Sequence, residues 1–371
     1  MWRLRDIHDV VSERPPSSLP VSSRLWSRAT AAAERGWVPD ALLRVAIRRL
    51  CRGRLREEDA DDAALAEHRT AAFAEAMGDA PVAVAADRAN AQHYEVPAAF
   101  FRLVLGPWMK YSCALFEPPA ISLADAEERM LALTSERAGL GDGMRVLDLG
   151  CGWGSFALFV AERFPRARVT AVSNSKSQRE HIVAECRRRG MAGVEVVTAD
   201  VSHFEAPAGA YDRIVSVEMF EHVRSWPRLL GRAASWLAPE GRLFLHVFCH
   251  RSRAYAFEDR GAGDWMARHF FTGGIMPSED LIHRVSGPLS VEAQWRVDGL
   301  HYRHTAEAWL ARLDAARPRA LEALREAYGA DAERVLGRWR LFFLAVAELF
   351  GTREGSEWFV TQARLAPHRE S

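Results

Sequence analysis

Lysine is almost missing from this chain: among 49 Lys and Arg residues only Lys110 and Lys176 are lysines, a scarcity that reads as compositional bias of the genome rather than as chemistry. A charge of one sign is missing as well. Acids and bases stand at 49 each, so no global field recruits nucleic acid or an anionic membrane, and the expected partner is a small molecule. Cysteine is sparse and scattered. Cys51, Cys113, Cys151, Cys186 and Cys249 are odd in number and contain no CxxC pair, which supports neither a disulfide framework nor a zinc knuckle and fits a reducing cytoplasm. Long apolar runs are absent too. The opening "MWRLRDIHDVV" lacks the apolar core of a signal peptide, and "LFFLAVAELF" is interrupted by Glu348 and is far shorter than the roughly 20 apolar residues of a membrane span.

What is present is a large apolar inventory. The 371 residues are 49% hydrophobic and 10% aromatic, which excludes disorder and allows a sizeable core. Residues 1–35 mix "RPPSSLP" with scattered Trp and Leu and are expected to form an N-terminal arm. Residues 36–140 are expected to be a helical cap region. In "VPDALLRVAIRRLCRGRL" Leu43, Ile47 and Leu50 fall at helical spacing with arginines between them, and the acids that follow from Glu57 favour a solvated face over a lipid-binding one.

From Met144 to His250 short β-branched runs alternate with helical stretches: "MRVLDLG", "ARVTAVS", "VEVVTAD", "DRIVSVE", "GRLFLHVF". This spacing predicts βαβ crossovers and a parallel sheet with ligands beyond the carboxyl ends of its strands. Residues 141–250 are therefore the expected core, and 251–371, richer in Trp and Phe, the expected lid and pocket region.

In "VLDLGCGWGS" Gly150, Gly152 and Gly154 alternate after the first strand, where they let the backbone turn tightly and approach a ligand. A nicotinamide fingerprint needs glycine at 155, where Ser155 stands, and an acid about 20 residues on, where the chain reads "SNSKSQ". Asp148 beside alternating glycines instead resembles the S-adenosylmethionine loop of Rossmann-like methyltransferases. Asp200, at the end of the third strand, is placed either to accept from an adenine amino group or to cap a turn. Ser173 and Gln178 flank the second strand's end, where they either reach the ribose or cap a helix.

The stretch "VEMFEHV" sets Glu218, Glu221 and His222 directly after an apolar strand. If it opens a helix, the three face one side near the glycine turn. A carboxylate can attract an ammonium, and a histidine with an unperturbed pKa near 6.5 can take its proton. Trp108, Phe270 and Trp339 are candidates for cation–π contact. Capping and pairing with Arg224 is the structural alternative.

"HYEVPAAFF", "KYSCALF", "VLDLGCGWGS", "SNSKSQ", "VEMFEH", "FTGGIMPS" and "AVAELFG" resemble, in this order, the cyclopropane-fatty-acid-synthase-like family of S-adenosylmethionine-dependent methyltransferases, and within it the coclaurine N-methyltransferase branch. The resemblance implies a class I Rossmann-like α/β sheet with a helical N-terminal segment and helical lid insertions. It implies cofactor contacts from Tyr111, Ser112, the glycine loop and Gln178, with Ser173, Asn174, Asp148 and Asp200 around them. It implies Glu218, Glu221 and His222 as the catalytic group. Lipid-modifying members hold bicarbonate through positions matching Cys113, Glu221 and His246 with a tyrosine from the last helices. There this chain reads "RWRLFFLAVAELF", with Phe342 or Phe343 in place of the tyrosine. Cys113, His246, Trp265, Phe271 and Phe342 are the expected pocket residues. The expected reaction is methyl transfer from S-adenosyl-L-methionine to the nitrogen of a small, alkaloid-like amine. The alternative is a cyclopropane-fatty-acyl-phospholipid synthase or lipid C-methyltransferase acting on unsaturated acyl chains. Relatives suggest a homodimer.

No metal is expected. "HVFCH" offers His246, Cys249 and His250, but along a strand 249 points away from the other two, and His301 and His304 have no acid or cysteine fixed near them.

Overall fold

The β-branched runs pair into one seven-stranded sheet: β1 (Arg145–Leu149), β2 (Arg168–Ser173), β3 (Val194–Thr198), β4 (Tyr211–Val217), β5 (Leu237–His250), β6 (Leu289–Val297) and β7 (Trp358–Pro367). The order across the sheet is β3-β2-β1-β4-β5-β7-β6. The first five strands are parallel, and β7 runs antiparallel to both of its neighbours. This is the predicted Rossmann-like α/β fold. The computed structural model describes residues 23–58, 62–82, 96–119, 121–259, 261 and 264–368.

Residues beyond 250 are more than a lid, because they supply β6 and β7. Strand β7, "WFVTQARLAP", is buried along almost its whole length, as a strand covered on both faces must be. The edge strand β6 alternates and carries half-exposed or exposed Glu292 and Arg296, which blunts the edge.

Among the described residues the helices are α1 (Ser23–Glu34), α2 (Asp40–Glu57), α3 (Ala63–Asp79), α4 (Ala98–Val104), α5 (Leu123–Ala138), α6 (Ser155–Arg163), α7 (Lys176–Arg189), α8 (Trp226–Trp236), α9 (Trp265–His269), α10 (Leu281–Val285), α11 (Gly299–Ala315), α12 (Arg317–Tyr328) and α13 (Ala332–Phe350). Of the expected N-terminal arm, residues 1–22 lie outside the described residues, and Ser23–Glu34 are helical.

Helix α2 buries Leu43, Ile47, Cys51 and Leu55, a spacing of four. Leu50, placed on that stripe by the sequence reading, is instead 42% exposed, since it lies one residue before the inward position. Part of the basic face is also paired rather than solvated. Arg44 reaches Glu307 and Glu348, and Arg48 reaches Glu348, fastening α2 onto α11 and α13. Among the described residues no helix is long and apolar enough to cross a membrane.

Candidate active site

The chain leaves β1 through three left-handed glycines, Gly150 (φ 86°), Gly152 (φ 53°) and Gly154 (φ 81°). Their roles differ. A Cβ on Gly150 would lie 2.4 Å from Met219 Cγ and one on Gly154 2.6 Å from Ile182 Cγ1, whereas nothing lies within 4 Å of Gly152. The outer two glycines permit close packing, and the middle one faces open space.

Asp148 is buried beside this turn, and burial lifts its carboxyl to about 7 against the opposing amide of Ala157. Across the strand end Ser173 Oγ donates to Gln178 Oε1 at 2.6 Å and accepts from Ser175 N at 3.0 Å. Asn174 lies in the intervening bend, and Ser175 caps α7. Asp200 Oδ1 accepts from Ser202 N at 2.7 Å, so one of its oxygens serves the turn. Asp148 Oδ2 and Gln178 Nε2 are buried with no protein partner. An acceptor and a donor without partners, beside a glycine turn open on its ligand side, fit the polar groups of S-adenosylmethionine.

The acids diverge from the helical face that their spacing suggested. Residues Phe220–His222 form a single 3-10 turn. Glu218 sits at φ 49° and donates its N–H to His246 O at 2.7 Å, so the chain breaks sharply before any α-helix begins. A non-glycine residue in this region is strained. Its carboxylate is the hub of the site. Glu218 Oε1 accepts from Cys113 N at 2.9 Å, Oε2 accepts from Tyr302 OH at 2.6 Å, and His246 Nε2 lies 3.3 Å from Oε1.

Glu221 turns into the sheet. Its Oε1 accepts from Phe248 N at 2.7 Å, and burial, with the negative charge of Glu218 added, pushes its carboxyl well above the usual range. His222 is half-buried and lies parallel to Phe271, with centroids 5.8 Å apart.

Gln362 and Arg137 fix His246. Gln362 Oε1 accepts from Arg137 at 2.5 Å, so its Nε2 is the donor to His246 Nδ1, 3.0 Å away. Burial holds His246 neutral, its pKa lowered despite Glu218. The remaining ring proton is therefore on Nε2, facing Glu218.

Tyr302 was not singled out in the sequence. Phe342 and Phe343 stand on α13, and a tyrosine comes from α11 instead: Tyr302 brings a buried phenol to Glu218 beside Cys113 and His246. Only a lone Tyr at core spacing in "GLHYRHTAEAW" could have signalled it. A hydrogen bond to a charged group is worth about 1.5–3 kcal/mol, so Tyr302→Phe should lower kcat/KM about 10- to 100-fold while cofactor affinity, measured by calorimetry, stays within a few-fold.

The pocket residues form one aromatic wall. Phe271 packs on His222 and Phe257, Phe342 stacks on Phe270 at 4.2 Å, and Trp339 bridges Phe342 to Tyr111. Trp265 touches Phe270 but donates its N–H to Glu34 of α1, which ties the wall to the N-terminal helix. Trp108, a cation–π candidate, already lies under Arg189 and is occupied there. The Cys113 thiol is fully buried, and burial raises its pKa well above the usual value. Ser112 Oγ accepts from Lys110. His250 pairs with Glu357 at 2.9 Å rather than with His246. Among the described residues no His, Cys, Asp and Glu group is arranged to hold a metal ion.

The family model for mycolic acid cyclopropane synthetase matches residues 84–357. The chain is 37% identical over 289 residues to (S)-coclaurine N-methyltransferase of Thalictrum flavum subsp. glaucum, covering 76% of this chain and 79% of that protein. It is 30% identical to cyclopropane-fatty-acyl-phospholipid synthase of Escherichia coli (strain K12), covering 74% and 67%. A solved structure of coclaurine N-methyltransferase bound to N-methylheliamine and SAH superposes with a TM-score of 0.87 at 34% identity, covering 90% of this chain and 97% of that one.

Proposed function

The chain belongs to the mycolic acid cyclopropane synthetase family and is an S-adenosylmethionine-dependent methyltransferase, and on that premise we propose that its acceptor is the nitrogen of a small aromatic amine. The observation that carries this reading is Glu218, a carboxylate taken out of water at the strand end beside the glycine turn and held by Cys113 N–H and Tyr302 OH. The names of the relatives support it, since those at 37% and 32% identity are coclaurine and pavine N-methyltransferases.

The bound cofactor supplies an electrophilic methyl group on a sulfonium sulfur; everything else is asked of the protein. An alkylamine titrates near 10, as lysine does, and arrives mostly as an ammonium without a free lone pair. Glu218 draws that cation in. The aromatic wall adds about 0.5–2 kcal/mol of cation–π attraction where it is desolvated. His222, half-exposed at the end of the wall, is the outlet for the proton. Glu221 is turned into the sheet onto Phe248 N–H, which leaves Glu218 as the carboxylate that the amine meets. Tyr111, Ser112, Asp148, Gly152, Asn174, Gln178 and Asp200 are assigned to the cofactor. Five reduced, buried cysteines favour a reducing cytoplasm, and a homodimer is the assembly expected in size-exclusion chromatography.

The test supplies labelled cofactor with an amine panel in one arm and unsaturated phospholipid vesicles in the other. Label in an amine is expected, and label in acyl chains alone would replace this reading with lipid modification. His222→Ala should slow turnover about 10²-fold, with amine KM changed less than kcat.

A further inference from the structure

Resting on the amine reading, we propose that Lys110 is a positioning residue whose buried ammonium restrains Glu218, so that the carboxylate attracts the acceptor's ammonium without holding its proton too tightly. Lys110 is one of only two lysines among 49 Lys and Arg residues, and it is 2% exposed. Its Nζ donates to Cys113 O at 2.7 Å and to Ser112 Oγ, while Cys113 N donates to Glu218 Oε1 at 2.9 Å. The two ends of one residue thus join the ammonium to the carboxylate.

The approach to this position is built. Glu127 of α5 is fully buried and accepts from Gly106 N at 2.9 Å and Trp108 N at 3.0 Å. A Cβ on Gly106 would fall 2.4 Å from Glu127 Oε2, so only glycine lets the loop close over the carboxyl. Met109 then takes φ 54° and turns Lys110 inward. Strain of this kind persists where the surroundings over-determine it.

The charged and titratable groups facing Lys110 are Glu218 after β4, Glu127 from α5 and Cys113 on its own segment. His246 of β5 feels its charge as well, and Tyr302 of α11 reaches it through Glu218. Burial draws the Lys110 pKa down, and Glu218 opposes that fall most. A guanidinium would bring five donors in a rigid fork to a site with two fixed acceptors, which explains a lysine in an arginine-rich chain.

The consequence concerns the acceptor's proton. An unrestrained buried carboxylate would stabilise an adjacent ammonium strongly, raising the acceptor's pKa in the complex and lowering the fraction with a free lone pair. A fixed positive charge behind Glu218 weakens that stabilisation. Removing it should tighten cation binding, depress kcat near neutral pH and move the acid limb of the kcat profile to higher pH.

Lys110→Gln removes the charge but keeps a donor, and Lys110→Arg keeps the charge. Two readouts serve: binding of benzyltrimethylammonium to the SAH complex by calorimetry, and the kcat–pH profile with an amine that the wild-type enzyme methylates. For Lys110→Gln, benzyltrimethylammonium should bind about 10-fold tighter, kcat at pH 7 should fall about 10-fold, and the limb should move up about one pH unit, a tenfold change in the protonation equilibrium. Lys110→Arg should keep the wild-type limb; should it fail to fold, the glutamine variant decides alone. An unmoved limb and unchanged cation affinity in Lys110→Gln, with only cofactor affinity or Tm reduced, would overturn the inference in favour of a scaffolding role, as would an equal shift in Lys110→Arg. A wild-type enzyme that methylates no amine and binds no benzyltrimethylammonium would instead defeat the amine reading and this inference with it.

Discussion

Glu218→Gln is expected to lower kcat/KM for the amine about 10³-fold, within the 10²- to 10⁴-fold range typical of general acid–base catalysis. Two losses combine. The negative charge that draws an ammonium into the site disappears, which raises KM. An amide also presents one oxygen and one NH₂ where the carboxylate accepted from Cys113 N–H and Tyr302 OH and faced His246 Nε2, so at least one donor is left opposite another donor. The glycine turn is untouched, so calorimetric affinity for SAH should change less than about threefold. Steady-state kinetics over amine concentration will separate the two losses. A variant retaining wild-type kcat/KM would remove Glu218 from the chemistry.

Gly299→Ala should destabilise the fold by about 3 kcal/mol, at the upper end for an overpacked site. A Cβ there would lie 2.2 Å from Trp358 O, 2.6 Å from Phe350 O and 2.8 Å from Gly355 O. All three are main-chain atoms, and none can swing aside as a side chain would. Relief requires the start of α11 to move, and Tyr302 is three residues along that helix. Denaturant unfolding should report the lost stability, and kcat/KM of the remaining folded enzyme should fall as Tyr302 is drawn from Glu218. Gly231→Ala is the control. Nothing lies within 4 Å of its Cβ position inside α8, so alanine should stabilise by about 0.5–1 kcal/mol.

What could be read in the chain divides by the range of the interactions. The strands β1 to β5 and the glycine turn are written locally, as short β-branched runs with crossovers between them and glycines at positions needing positive φ. Strand β7 is not local, because it pairs with β5 more than a hundred residues away, His246 opposite Gln362, and nothing near "WFVTQARLAP" names its partner. Tyr302 was hidden for the same reason: on a helix it looks like any aromatic residue of a core stripe. The pattern of "EMFEH" allowed a helix whose face would gather both acids and the histidine, yet the backbone bond from Glu218 to His246 bends the chain first. Lys110 is legible only in part. Its scarcity shows in the sequence, but its burial against Cys113 O and Ser112 Oγ does not. Cys113 and His246 lie beside Glu218, while Glu221 Oε1, grouped with them by the family resemblance, accepts from the amide of Phe248.

The last-numbered strand has a consequence for biosynthesis. Strand β7 lies between β5 and β6, both translated before it, so on the ribosome those two must wait unpaired along the edges that β7 will occupy. Until it arrives, Gln362 cannot fix the proton of His246. A nascent polypeptide can thus assemble its cofactor half early while its chemistry stays off, and ribosome-stalled chains ending before 358 should bind SAH yet transfer no methyl group.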